Sequence, residues 1–154
     1  MTARNEERKR TRFSLSQRSE VPPTRDKIIA SLRELGYPQR DLFAVRLAIN
    51  EALVNAIEHG NKRDRRKKVT VAYRVDPQKA EITVTDQGAG FDPTTVPDCT
   101  ADENLCKTCG RGIALMRGFM DVVEFLGKGN VVRLVKFRSD LRPAPADRAQ
   151  VMLK

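Results

Sequence analysis

Four segments of this chain read as strands, the first two by alternating apolar and polar side chains, and they come as two pairs, each joined by a turn too short for a crossover. Val69 to Val75 and Ala80 to Thr85 flank Asp76-Pro77-Gln78-Lys79, while Val122 to Leu126 and Val131 to Phe137 flank Gly127-Lys128-Gly129-Asn130. Period-two alternation marks half-buried strands, and so short a connection joins antiparallel neighbours. Arg12 to Gln17 adds a first strand, with Phe13 and Leu15 on its apolar face. A mixed, mainly antiparallel sheet is therefore expected.

The rest of the pattern has helical period. Pro22 and Pro23 are expected to break the chain, with a helix starting near Thr24 that carries Ile28, Ile29, Leu32 and Leu35 until Gly36 and Pro38 end it. A longer helix from about Gln39 to Glu58 carries Leu42, Val45, Ile49, Leu53 and Ile57 and ends at Gly60. On it Ala44, Ala48, Ala52 and Ala56 recur every four residues, a strip of small side chains that lets neighbours approach closely and makes this helix central to the packing. Gly112 to Met120 forms a third helix. Hairpin-joined strands leave the three helices on one face of the sheet, which gives an α/β (α+β) two-layer sandwich.

A chain of 154 residues with 40% hydrophobic content and no Trp suits one domain with an aliphatic core. Residues 1–11 read as a mobile basic arm, 12–138 as the folded domain and 139–154, with Pro143 and Pro145, as a disordered tail. No apolar stretch follows the basic N-terminus and no run approaches the ~20 residues of a spanning helix, so a cytoplasmic protein without a membrane partner is expected. The net charge of +9 peaks at Lys62 to Lys68. That run lacks interleaved aromatics and any helix-turn-helix or zinc-finger spacing, so direct nucleic-acid binding is not expected, and the run reads as a solvated loop that steers an acidic partner. Phe91 to Cys109 is long for a loop in a compact domain, and its residues 92–109 read as a lid. Cys99, Cys106 and Cys109 fall inside it. With the single histidine, His59, far along the chain, they read as free thiols rather than a zinc site.

Three short segments carry chemistry. Glu51 and Asn55 stand four residues apart on the long helix and share a face with Leu47 and Val54. A carboxylate among apolar neighbours is suited to accept a proton and an amide oxygen to hold Mg²⁺, although alone the pair is also an ordinary Glu bonded to an Asn. Asp86-Gln87-Gly88-Ala89-Gly90 follows directly on a strand. Its glycines permit a sharp turn and close approach of a ligand, and Asp86 could accept the exocyclic amine of adenine; an acidic tight turn without a ligand has the same letters. A dinucleotide fingerprint fails there, since Asp92-Pro93 stands where the third glycine belongs. Gly110-Arg111-Gly112 opens the third helix, whose first N–H groups suit phosphate oxygens, with Arg111 as a forked cation; a glycine-rich linker with a surface Arg is the plain alternative. No GxxxxGK[ST] motif is present.

In this order, NEALVNAIEHGN, DQGAGFDP and GRGIALM resemble the N, G1 and G2 boxes of the GHKL (Bergerat-fold) ATPases, and most closely the bacterial anti-sigma-factor serine/threonine kinases. The resemblance covers Phe13 to Arg138. It implies binding of ATP with Mg²⁺, phosphorylation of a serine on a small anti-anti-sigma (STAS-type) partner, sequestration of a sigma factor, and a homodimer. It makes Glu51 the catalytic base, Asn55 the magnesium-binding residue and Asp86 the adenine reader. Gly88 and Gly90 become the first nucleotide turn, and Gly110, Arg111, Gly112 and Ile113 the phosphate-binding helix start. Where the family often places a Thr beside the adenine site, this chain has Asn130. Sensor histidine kinases share the boxes but need a phosphoacceptor His on a separate helix; His59 lies within the first box and reads as a helix-terminus group.

Overall fold

The structure is a computed structural model that describes residues 10–92 and 111–141. Five strands are present among them: β1 (Thr11–Leu15), β2 (Val69–Val75), β3 (Lys79–Thr85), β4 (Val122–Leu126) and β5 (Val131–Phe137). They lie in the order β1-β2-β3-β5-β4. Every pairing is antiparallel, so the sheet has no parallel component among the described residues. Asp76 closes the first hairpin as an Asx turn, its Oδ1 accepting the N–H groups of Gln78 and Lys79 at 2.7 and 2.9 Å.

Three α-helices complete the fold: α1 (Val21–Glu34), α2 (Gln39–Asn55) and α3 (Arg111–Phe119). The prolines do not break the chain. They sit in the first turn of α1, where a missing N–H forfeits no intrahelical bond and the fixed φ suits a helix start. A Schellman cap closes α1, with Tyr37 N–H on the Leu32 carbonyl at 3.2 Å and Gly36 N–H on the Arg33 carbonyl at 3.0 Å. The alanine strip of α2 is fully inside, as its spacing requires, and α2 packs on α1, α3 and β5. Ile28, Ile29, Leu32, Val45, Ile49 and Leu53 from the helices meet Leu15, Val71, Ile82, Val84 and Leu134 from one face of the sheet in a single core.

α2 stops three residues before the expected end. Ala56–Gly60 forms a wider π turn, in which the Asn61 N–H reaches back to the Ala56 carbonyl at 2.8 Å. The chain also stays folded past Arg138. Ser139–Leu141 forms a 3₁₀ turn whose Ser139 N–H donates to buried Asp41 at 2.8 Å, because Asp41, in the first turn of α2, needs a donor in its apolar surroundings. The first three residues assigned to the tail thus belong to the folded body. Residues 1–9, most of the expected lid, all three cysteines, Gly110 and residues 142–154 lie outside the described residues.

Candidate functional site

The π turn after α2 decides where the first two sequence segments meet. It delivers Gly60 against the Asp86 side chain so closely that a Cβ on Gly60 would stand 2.5 Å from the carboxyl carbon. Gly88 faces the Gly60 carbonyl oxygen with no room for a side chain, and its N–H donates to Asp86 Oδ1 at 2.8 Å. The first segment's helix end and the second segment's turn are therefore one packed unit. Gly90, at φ +80°, lies against the Lys128 carbonyl of the last hairpin.

Asp86 leaves β3 held by its backbone. Its N–H donates to the Asn130 carbonyl at 2.9 Å, and Asn130 Nδ2 returns a bond to the Asp86 carbonyl at 3.0 Å. Asn130 thus clamps the Asp86 main chain. Burial pushes the Asp86 carboxyl above the ordinary aspartate range, against the opposing pull of the Gly88 N–H and of Lys128 and Lys67.

The third segment joins at the other end of the same stretch of α2. Gly112, in the first turn of α3, sits so near Glu51 and Asn55 that a Cβ there would stand 2.8 Å from Asn55 Nδ2 and 2.9 Å from Glu51 Oε2. Both side chains are half-buried. A carboxylate, an amide and the bare backbone of a helical first turn thus share one small volume, which offers an anionic proton acceptor, a hard oxygen ligand and an approach for phosphate oxygens. Arg111 is exposed at the helix start. Ile113 turns its side chain into the core, so only its backbone is available to a ligand. His59 is exposed within the π turn.

Two residues with no prior assignment complete the turn. Asn61, 2% exposed, accepts the Gln87 N–H on Oδ1 at 2.8 Å, and Gln87 Oε1 accepts the Lys68 N–H at 2.7 Å. Both ends of the basic loop are therefore tied to the residue after Asp86. Among the described residues Asn61 Nδ2 has no hydrogen-bond partner. The only hint in the sequence was a polar residue directly after His59-Gly60. Lys62 and Arg63 adopt left-handed φ of 51° and 62°, a conformation rare for side chains of that size. No group of metal-binding side chains is found among the described residues, and no described helix is long and apolar enough to cross a membrane.

The family profile of the histidine kinase-like ATPase domain matches residues 13–136. Among curated proteins the chain is 32% identical over 114 residues to the serine-protein kinase RsbW of Bacillus licheniformis, across 68% of this chain and 69% of that one. It is 26% identical over 119 residues to the anti-sigma F factor of Bacillus thuringiensis, across 73% of this chain and 81% of that one. A crystal structure of the RsbU and RsbW domains of a Mycobacterium tuberculosis protein superposes with a TM-score of 0.58 at 17% identity, over 88% of this chain and 34% of that longer one, a likeness of fold. The chain belongs to the histidine kinase-like ATPase family, in the group of the bacterial anti-sigma serine-protein kinases.

Proposed function

We propose that this chain is an ATP-dependent serine/threonine-protein kinase and anti-sigma regulator, which phosphorylates a serine on a small anti-anti-sigma protein and sequesters a sigma factor. The observation that carries this reading is the meeting of Gly112 with the Glu51 carboxylate and the Asn55 amide. A helix used only for packing would gain from an alanine at that position; a helix start that must admit phosphate oxygens beside a base would not. The names of the relatives support the same reading.

The residues present suit Mg²⁺·ATP. Asn55 offers a neutral oxygen of the kind magnesium takes, the backbone at Gly112 leaves an approach that a Cβ would fill, and Asp86 presents an acceptor for an exocyclic amine. When bound, magnesium-ATP supplies the phosphoryl group and neutralises its charge. Glu51 would accept the proton of the incoming serine hydroxyl, and the half-buried setting keeps that carboxylate from full hydration. Arg111 would add a cation at the phosphates. Asp86, fixed through Asn130 and Gly88, would orient the base.

The experiment is incubation of the purified chain with γ-labelled ATP, Mg²⁺ and the small proteins encoded beside it. The expected result is label on a serine of one of them, with Glu51→Gln retaining nucleotide binding and losing transfer. Nucleotide binding with no labelled protein would replace the kinase by an ATP-gated binding module, and transfer by Glu51→Gln would remove Glu51 as the base.

A further inference from the structure

One short stretch of chain carries both ends of the proposed nucleotide site. Asn55 closes α2 beside Gly112, and five residues on Gly60 lies against the Asp86 carboxyl. Between them runs the π turn, where the chain ties back across five residues instead of the four of an α turn. Asn61 makes that tie and two more. Its N–H donates to the Ala56 carbonyl at 2.8 Å, its carbonyl accepts the Asp64 N–H at 3.0 Å, and its Oδ1 accepts the Gln87 N–H at 2.8 Å. The last bond crosses to the residue after Asp86, so the end of α2 and the exit of β3 are joined through this one side chain. Three unfavourable features meet here. The Asn61 side chain is buried, and among the described residues its Nδ2 has no partner, a loss that a buried donor does not recover. Lys62 and Arg63 take left-handed φ of 51° and 62°, which a Cβ disfavours. The π turn itself replaces regular helix, as such turns often do at functional sites. An apolar residue at position 61 would fill the same space without an orphan donor. Local strain of this kind persists where the surroundings hold a geometry that function uses. The geometry held here is the separation between Asp86 and the cluster of Glu51, Asn55 and Gly112.

We infer that Asn61 is a positioning residue for the nucleotide: with the π turn it sets the spacing between the Asp86 carboxylate and the phosphate end at Asn55 and Gly112, so that one molecule of ATP engages both. The inference rests on the ATP reading above. Two binding groups on one ligand reinforce each other only when the protein presents their sites at the matching separation, and the gain is lost when it does not. Asn61 acts through the Gln87 main chain and hence through Asp86. A residue that served only to tie down the basic loop would leave that reinforcement untouched.

The test compares the parent chain with Asn61→Leu, similar in shape but without an acceptor, and with Asn61→Ala. Calorimetry measures affinity for ATP with Mg²⁺ and for its two halves given separately, adenosine and tripolyphosphate with Mg²⁺. Both variants should bind each half as the parent does and ATP about tenfold more weakly or worse. Transfer to the acceptor protein identified with labelled ATP should lose about a hundredfold in kcat, as misplacement of about 1 Å can do, with KM for the acceptor unchanged. Asn61→Leu should unfold near the temperature of the parent, since the bond lost to the exposed Gln87 is offset by removal of the orphan donor. Weaker binding of either half shows damage at that end rather than between the ends, and overturns the inference. A fall in unfolding temperature that accounts for the lost ATP binding in both variants overturns it as well, as does parent-like ATP affinity. A parent chain that binds ATP and labels no acceptor removes the kinase reading and leaves the three affinities to decide the spacing. A parent chain that binds no nucleotide removes both.

Discussion

Asn130 holds Asp86 from both sides of one residue, accepting its N–H at 2.9 Å and donating Nδ2 to its carbonyl at 3.0 Å. The clamp fixes the backbone where β3 leaves the sheet, while the carboxylate itself is held by the Gly88 N–H on its Oδ1. Asn130→Ala leaves the part-buried Asp86 carbonyl without that donor. The expected cost is about 1 kcal/mol of stability, together with weaker nucleotide binding, because the turn can then sample other geometries. Chemical denaturation and calorimetric titration separate the two effects. Parent-like affinity in a destabilised variant would reduce Asn130 to a structural clamp.

The Asp86 carboxyl gives a second prediction, with a definite sign. Its folded-state pKa is raised by burial, so the folded chain holds this proton more tightly than the unfolded chain does. Asp86 therefore costs stability, and the cost grows as pH rises from the unfolded aspartate value through the raised folded one, then levels off. Asp86→Asn retains an acceptor for the Gly88 N–H and removes the charge. It should melt higher than the parent at neutral pH, with the gap closing in acid, and should lose preference for adenine nucleotides. In the parent, nucleotide affinity should begin to fall at a higher pH than an ordinary aspartate would give. Thermal melts from acid to neutral pH, with ATP and GTP titrations of both proteins, check all three.

Glu81 has the opposite sign. The Arg133 guanidinium, 3.0 Å away and also bonded to Glu124, holds its carboxyl below the usual range. Its contribution is present above the unfolded glutamate pKa and is lost as pH falls through the lowered folded value. Arg133→Met should flatten the acid limb of the stability curve and cost less than about 1 kcal/mol at neutral pH, since the pair is partly solvated. An unchanged acid limb would show that the pair contributes nothing measurable.

Element types and their order were legible because both periodicities are strongly marked, and the hairpins show why the sheet is antiparallel. The prolines misled, since a proline after a strand reads as a breaker unless the helix begins one residue earlier, at Val21. The π turn was not legible. Nothing in Ala56-Ile57-Glu58-His59-Gly60 distinguishes a widened turn from a plain helix end, and the choice is made by the fit of Gly60 to Asp86. The site residues were legible as motifs, but motifs give no contacts. That Gly112 faces Glu51 and Asn55, and that Gly88 faces the Gly60 carbonyl, follows from packing between segments far apart in the chain. The roles of Asn61 and Gln87 are not legible for the same reason, since a polar side chain declares its role only when its partner is seen.

Those two glycine contacts differ in what surrounds them, and they give opposite predictions for the same substitution. A Cβ at Gly112 would press on Asn55 Nδ2 and Glu51 Oε2, the ends of side chains that can rotate away. Helix propensity meanwhile favours alanine by about 1 kcal/mol. Gly112→Ala should therefore fold as well as the parent or better, while displacing the base and the proposed magnesium ligand and lowering transfer about a hundredfold, as misplacement of about 1 Å can do. At Gly88 the obstacle is the Gly60 carbonyl, backbone that cannot rotate away. Gly88→Ala should lose about 2–3 kcal/mol and weaken nucleotide binding only as a consequence of the distorted turn. Melting temperature and transfer rate measured side by side decide the matter: a Gly112→Ala protein that is unstable, or one that is stable and fully active, would mean that the first turn of α3 does not need its bare backbone.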